Sequence, residues 1–425
     1  MRRILGTAGI ALGVLLAGAL GSCGGGGSSS SSGSSGSTGG TGGNSAGGNT
    51  IATAASNVAP IVVDAGPANT INLPFVTVTV CVPGSTTNCQ TIDHVLVDTG
   101  SSGLRVIASV LSTTLKQALP QISDASSNSL AECTQFADGV AWGPIKRADV
   151  KVSGEVAASI PIQVIGDPAF ASTPTACSSG GPLENTVATF GSNGVLGVGL
   201  FIQDCGSACV ASVAPGIYYG CPVSGCQPTI ASLDRQVQNP VPKFALNNNG
   251  VIVQLPAVGD NGAASVTGAL VFGIGTQANN GLGSATVFTA DASNGFITTT
   301  FNGQALAQSF IDSGSSVYFF QNGSTPLCSG SVSSAGLYCP TATQALTAQN
   351  KGVNAATGTV NFSVANGTTV LANNPANRAF NNLAAPSGSF PSSFDWGLPF
   401  FLGRNVFTAI EGKSTPGGAG PFFAY

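Results

Sequence analysis

The chain has 425 residues, 43% of them hydrophobic, only 7% charged and 59 of them glycine, so it can bury a large core while presenting little ionic surface. Its 13 basic residues face 17 acidic ones, a formal charge of -4, which leaves no basic stripe to track a phosphate backbone and excludes nucleic acid as a partner. A single histidine, His94, excludes sites built from several imidazoles, and no phosphate-cradling glycine loop followed by lysine is present, so neither metal nor other cofactor is expected.

Arg2 and Arg3 precede an apolar run from Ile4 to Leu20, which ends in Leu20-Gly21-Ser22-Cys23. That order reads as a charged n-region, an h-region and a small-residue cleavage site. The tetrad resembles a bacterial lipobox, which implies a lipoprotein signal peptide over residues 1–22 and lipidation of Cys23. Removing Cys23 from the 11 cysteines leaves an even set, as disulfides in an oxidising compartment require. Residues 23–50 are mostly glycine and serine and read as a disordered tether with an r.m.s. reach of about 30 Å. The expectation is an exported bacterial lipoprotein on the periplasmic or cell-surface face, with Gly24 pointing to the outer membrane. The membrane would be a partner through the lipid anchor only.

Beyond the tether, short β-branched segments are bounded by Gly, Pro and Asn. Residues 75–82 place Val76, Val78, Val80 and Val82 on one face, the period of a half-buried strand. Further strands are predicted at 148–152, 160–165, 269–274 and 296–301. Two helices are predicted, one over 106–118 and one carrying Ile230, Leu233 and Val237 on a single face. The chain thus reads as all-β with few short helices.

An internal echo is the most informative feature. Val95-Leu96-Val97-Asp98-Thr99-Gly100-Ser101-Ser102 matches Ser309-Phe310-Ile311-Asp312-Ser313-Gly314-Ser315-Ser316. Each copy is followed by an apolar pair and a glycine, Val195-Leu196-Gly197 and Phe401-Leu402-Gly403. Two duplicated lobes are therefore expected, 51–280 with the first Asp loop and 281–425 with the second, bringing one aspartate each to a shared cleft.

These residues resemble the pepsin-like aspartic peptidases, from about Val58 to the C-terminus, and the lipobox and tether resemble an uncharacterised bacterial lipoprotein family of unknown function. The first resemblance implies a bilobal pepsin-like acid-protease fold with Asp98 and Asp312 as the catalytic pair. Thr99, Gly100, Ser101, Ser313, Gly314 and Ser315 would brace the carboxylates. Phe136, Asp138, Gly139 and Trp142 fall where the family places its flap hairpin. The match departs from the family at three points: Phe136 stands where the flap tyrosine is usual, Arg105 where a tryptophan is usual and Arg404 where an acid is frequent. Trp142 has two readings, aromatic cover of the cleft or hairpin packing.

Two aspartates a few ångströms apart cannot both ionise, so the pair holds one proton and can act as base and acid in turn on a water and an amide. His94 would lie about 13 Å from Asp98 along the strand and reads as a structural or surface residue. No basic residue lies between Arg3 and Arg105, so no masking prosegment is expected. Cys81/Cys89 and Cys328/Cys339 are spaced for local bridges, and Cys133/Cys177 would tie the flap base to the following sheet. Pairing among Cys205, Cys209, Cys221 and Cys226 stays open. That cluster sits in an insertion from Phe201 to Pro228, readable as a specificity loop or as a stapled surface loop. The functional expectation is a monomeric, lipid-anchored aspartic endopeptidase acting on polypeptide. A catalytically silent pepsin-fold protein binding a peptide, protein or glycan in the cleft remains the alternative.

Overall fold

The computed structural model describes residues 49–329 and 334–425. The segments read as signal peptide and tether, with Cys23, lie outside the described residues up to residue 48. Strands dominate and fall mainly into a 15-stranded and a 7-stranded sheet. Alternation places them as expected: in Pro74–Cys81 the valines are buried and Thr77 is exposed. Strands Val140–Val152 and Glu155–Ile165 cover the segments expected at 148–152 and 160–165, and Val266–Phe272 and Ile297–Phe301 overlap those expected at 269–274 and 296–301, the former ending two residues earlier.

Both helix expectations need correction. Val106 and Ile107 belong to strand Ser102–Ile107, where they pair with Val164 and Ile165. Only Thr113–Ala118 is α-helical, and its Leu115 amide donates to the Ser112 hydroxyl. The 230–237 segment is not a helix. Gln236 holds it open, since its amide group donates to the carbonyls of Gly206 and Ala231 and its oxygen accepts from the Gly206 amide.

The duplication is explicit in the pairing. In the first half, strand Gly194–Val198 lies between Cys89–Asp98, to which it is parallel, and Ser102–Ile107, to which it is antiparallel. In the second half, Asp395–Trp396 lies between Gln304–Ile311 and Tyr318–Phe319 in the same senses. The outer neighbours repeat as well: Ser102–Ile107 is parallel to Glu155–Ile165, and Tyr318–Phe319 is parallel to Ala384–Ala385.

This register corrects the second glycine landmark. Asp98 is opposite Gly197, and continuing the Phe310↔Asp395 and Ile311↔Trp396 register puts Gly397 opposite Asp312. The segment behind the second loop is therefore Asp395-Trp396-Gly397, whereas Phe401-Leu402-Gly403 follows it and touches the first half through a Leu255↔Leu402 bridge. A β-carbon on Gly397 would meet the carbonyls of Val317 and Ser315, just as one on Gly197 would meet the Ser102 and Gly103 amides. Both positions need glycine for backbone to pass so close.

The halves share one floor. Asn405–Ala409 pairs with Gly250–Gln254 and with Phe422–Ala424, which in turn pairs with Val287–Thr289. One core spans both halves, with Val97, Leu196, Ile311 and Trp396 all buried in it. In the second half this core is aromatic: Phe394 stacks on Trp396 at 4.0 Å and on Phe320 at 4.6 Å, each such contact adding about 0.5–1.5 kcal/mol beyond burial. The molecule is all-β and bilobal, with two related halves meeting at their aspartate loops.

Candidate active site

Each loop aspartate ends or follows a central strand, and its carboxylate is turned back onto its own loop. Asp98 Oδ1 accepts from the amides of Gly100 at 2.7 Å and Ser101 at 3.1 Å, and Oδ2 accepts from the Ser101 hydroxyl at 2.5 Å. Asp312 Oδ1 accepts from the Gly314 amide at 2.7 Å, with the Ser315 hydroxyl 3.3 Å from Oδ2.

The glycines let the loops close on one another. A β-carbon on Gly100 would collide with the Asp312 carboxylate, and one on Gly314 would lie 2.8 Å from Asp98 Cγ. Each carboxylate thus rests on the opposite loop's glycine, and the two acids face each other. Beneath them the loops are locked reciprocally. Thr99 Oγ1 donates to the Ile311 carbonyl and accepts from the Ser313 amide, at 3.2 and 3.0 Å. Ser313 Oγ donates to the Val97 carbonyl and accepts from the Thr99 amide, at 2.7 and 3.1 Å.

Burial, then the proximity of Asp98 and Asp395, holds the Asp312 carboxyl well above the ordinary aspartate range, against the Gly314 amide. A pair in this state holds a proton where a free aspartate would have lost it. Asp395 is a site residue that sequence reading missed. It is 7% exposed, and its Oδ2 lies 2.6 Å from the Ser315 hydroxyl. The Phe-Leu-Gly pattern drew attention six residues downstream, and only the strand register exposes the acid within the true landmark.

The hairpin that carries Phe136, Asp138 and Gly139 is formed by Ser129–Gln135 and Val140–Val152, closed at its tip by the Phe136 amide donating to the Gly139 carbonyl at 2.8 Å. Phe136 packs edge-on against Phe190 at 5.5 Å. Asp138 is exposed at the tip. Gly139 lies against Glu184, whose carboxyl burial and then Asp138 push up to about 9. Trp142 takes the packing role: it is 1% exposed, its indole donates to the Phe170 carbonyl, and it meets Tyr219 at 5.3 Å beside the Cys133–Cys177 bridge.

Arg105 joins the first loop to the hairpin. Its guanidinium is buried and donates to Thr134 Oγ1, the Ser102 carbonyl, Glu132 Oε1 and Asp204 Oδ2, all within 2.7–2.9 Å. Burial opposes its charge, and Glu132 with Asp204 outweighs that, so it stays protonated. Asp204, which also accepts from the Tyr218 hydroxyl at 2.8 Å, is held well above the usual range by burial and then by Glu132.

The cysteine-bearing insertion is more than a surface loop. Its strand Tyr218–Cys221 pairs with Ser129–Gln135 and widens the hairpin into a broader sheet. Leu200 and Phe201, where it begins, line a small cavity with Thr99 and Gly100. Bridges Cys205–Cys209 and Cys221–Cys226 resolve the open pairing, and Cys81–Cys89, Cys133–Cys177 and Cys328–Cys339 form as expected. His94 is a structural residue, hydrogen-bonded to Asp93 and Asp64 and edge-on to Phe75. Arg404 lies over the Phe400 ring and donates to the Phe400 carbonyl.

No curated protein matches this sequence. Among solved structures, an aspartic proteinase from Irpex lacteus is similar at 15% identity, over 86% of this chain and 96% of its own, with a TM-score of 0.44. A family profile described as protein of unknown function, DUF3443, matches residues 53–425. The chain belongs to the DUF3443 family.

Proposed function

We propose that the chain is an aspartic endopeptidase that hydrolyses peptide bonds with Asp98, Asp312 and one activated water. The observation that carries this reading is the facing carboxylates, each seated on the opposite loop's glycine and locked below by the Thr99 and Ser313 hydroxyls. Reversible sharing of one proton is what amide hydrolysis without metal or covalent intermediate needs.

In the first step the unprotonated carboxyl of the pair takes a proton from water as its oxygen bonds to the amide carbon. The protonated carboxyl gives its proton to the amide oxygen, forming a neutral gem-diol. In the second step the C–N bond breaks, the nitrogen takes a proton from the pair, and a diol hydroxyl returns one. The pair ends as it began. Thr99, Ser313, Ser101 and Ser315 orient the acids and do not react. An extended polypeptide between the lobes would be the substrate, with main-chain pairing to the hairpin that carries Phe136, Asp138 and Gly139. The lipobox-like Cys23 and the tether support lipid anchoring, and the enzyme would act at the outer membrane, on its periplasmic or external face.

The silent-binder reading is favoured by one specific observation, the flap position Phe136, which has no hydroxyl to donate. The discriminating experiment incubates the chain with a diverse peptide library from pH 3 to 7, with and without pepstatin. Pepstatin-sensitive cleavage supports the peptidase. A folded chain that cuts nothing across the range assigns the cleft to binding.

A further inference from the structure

The two halves differ at one buried position beside the acids. Val195 is opposite Leu96 and Asp395 is opposite Phe310, so the duplication aligns a valine with an aspartate. Val195 is fully buried among Leu73, Phe75 and Leu96. Asp395 is buried too, yet its Oδ1 has no hydrogen-bond partner and its Oδ2 has only the Ser315 hydroxyl at 2.6 Å. The titratable groups that face it are Asp98 and Asp312, both acids. No lysine, arginine or histidine pairs with it among the described residues.

Ser315 has one hydroxyl hydrogen and stands between two carboxyls, Asp395 at 2.6 Å and Asp312 at 3.3 Å. If it donates to Asp312, then Asp395 must supply its own hydrogen to the bond with Ser315. A carboxylate that is buried, unpaired and next to two acids would be costly, whereas a neutral carboxylic acid places its one hydrogen on Ser315 and leaves only an uncharged carbonyl oxygen, Oδ1, without a partner. In the first half Ser101 donates to Asp98 with no third acid behind it.

We propose that Asp395 is a third acid of the site, a neutral positioning residue that donates to Ser315 and thereby keeps the Ser315 hydroxyl on Asp312. Three carboxyls then share two protons, one on the Asp98–Asp312 pair and one on Asp395. Burial pushes the Asp395 carboxyl well above the aspartate range, against the Ser315 bond, and Asp98 adds to the rise. When Asp395 ionises, the Ser315 hydrogen turns to it and leaves Asp312 with the Gly314 amide alone. The catalytic consequence rests on the peptidase reading, and the proton count does not.

The test titrates the full chain carrying carboxyl-13C aspartate by NMR, for wild type, Asp395→Asn and Asp395→Val, beside the pH profile of peptide cleavage. Asparagine keeps a donor to Ser315 without a titrating proton, and valine copies the first half. Wild type is expected to hold two protons among the three acids near pH 6, and each variant one. Without the third acid beside it, the Asp312 midpoint should fall by about one pH unit in the variants, and the alkaline limb of kcat/KM should move with it to lower pH. An Asp395 signal that titrates at about pH 4, or an Asp312 midpoint unmoved in both variants, overturns the third acid even if cleavage is found. Coupled titration in a chain that cleaves nothing upholds it and overturns the peptidase reading instead.

Discussion

Thr99 and Ser313 hold each other's loops, each hydroxyl reaching across to a carbonyl of the opposite strand while accepting from the other residue's amide. The lock is buried, so its four bonds cannot be replaced by water without opening the floor of the cleft. It sets the separation of Asp98 and Asp312 more directly than any contact the carboxyls make themselves.

Removing either hydroxyl should therefore cost stability as well as alignment. Ser313→Ala strands the Thr99 amide, and Thr99→Val strands the Ser313 amide, each at about 1–3 kcal/mol. Because the bonds form one network, the double variant should lose less than the two singles added together. Urea unfolding of the four species measures this, and strict additivity would argue that the two hydroxyls act separately.

Gly100→Ala tests the facing geometry. Its new methyl would press on the Asp312 carboxylate, so the acids must part. Cleavage should fall at least tenfold while near-UV circular dichroism stays native. Full activity in this variant would mean that the loops do not sit so closely in solution.

The buried Arg105 cluster predicts a large, asymmetric stability response. Arg105→Leu leaves Glu132 and Asp204 buried without their cation, a loss of about 3–5 kcal/mol. Asp204→Asn should cost clearly less, since the amide oxygen can still accept from Arg105 and Tyr218. Chemical denaturation at neutral pH distinguishes the two, and equal losses would contradict the ionic role given to Arg105.

Stability should fall as pH rises from the acid side. Asp204, Glu184, Asp312 and Asp395 are all held above their ordinary values, with burial the largest cause in each case. The folded chain therefore binds more protons than the unfolded chain above about pH 4, and this contribution, full below that point, is lost as each folded value is passed. For Glu184 the loss extends to about pH 9, so Glu184→Gln should flatten the upper part of the curve. Tm followed from pH 4 to 9 checks the sign, and a Tm that climbs through this window would contradict it.

Much of the site was legible because duplication leaves a local signature. Asp98-Thr99-Gly100-Ser101 and Asp312-Ser313-Gly314-Ser315 are contiguous, and each Asp-x-Gly turn needs its own residues. Alternation in residues 75–82 was equally local. What escaped depended on register between distant strands. Asp395 breaks the apolar pattern at its landmark, so pattern matching slid to Phe401-Leu402-Gly403, and only pairing with Phe310 and Ile311 locates it. The Ile230, Leu233 and Val237 spacing suited a helix, but Gln236 bonds the segment to Gly206 instead. Similarly, Arg105 and Asp204 are far apart in sequence, and the insertion that brings them together offered only its cysteines to be read.

The dyad itself is tested most directly by comparing cleavage of one susceptible library peptide by wild type, Asp98→Asn and Asp312→Asn at matched folded concentration. The expected result is a loss of about 10²–10⁴-fold in each variant, with native circular dichroism and with cleavage by wild type abolished by pepstatin. Cleavage that persists unchanged in either variant would contradict the proposal that Asp98 and Asp312 work as one proton-sharing pair.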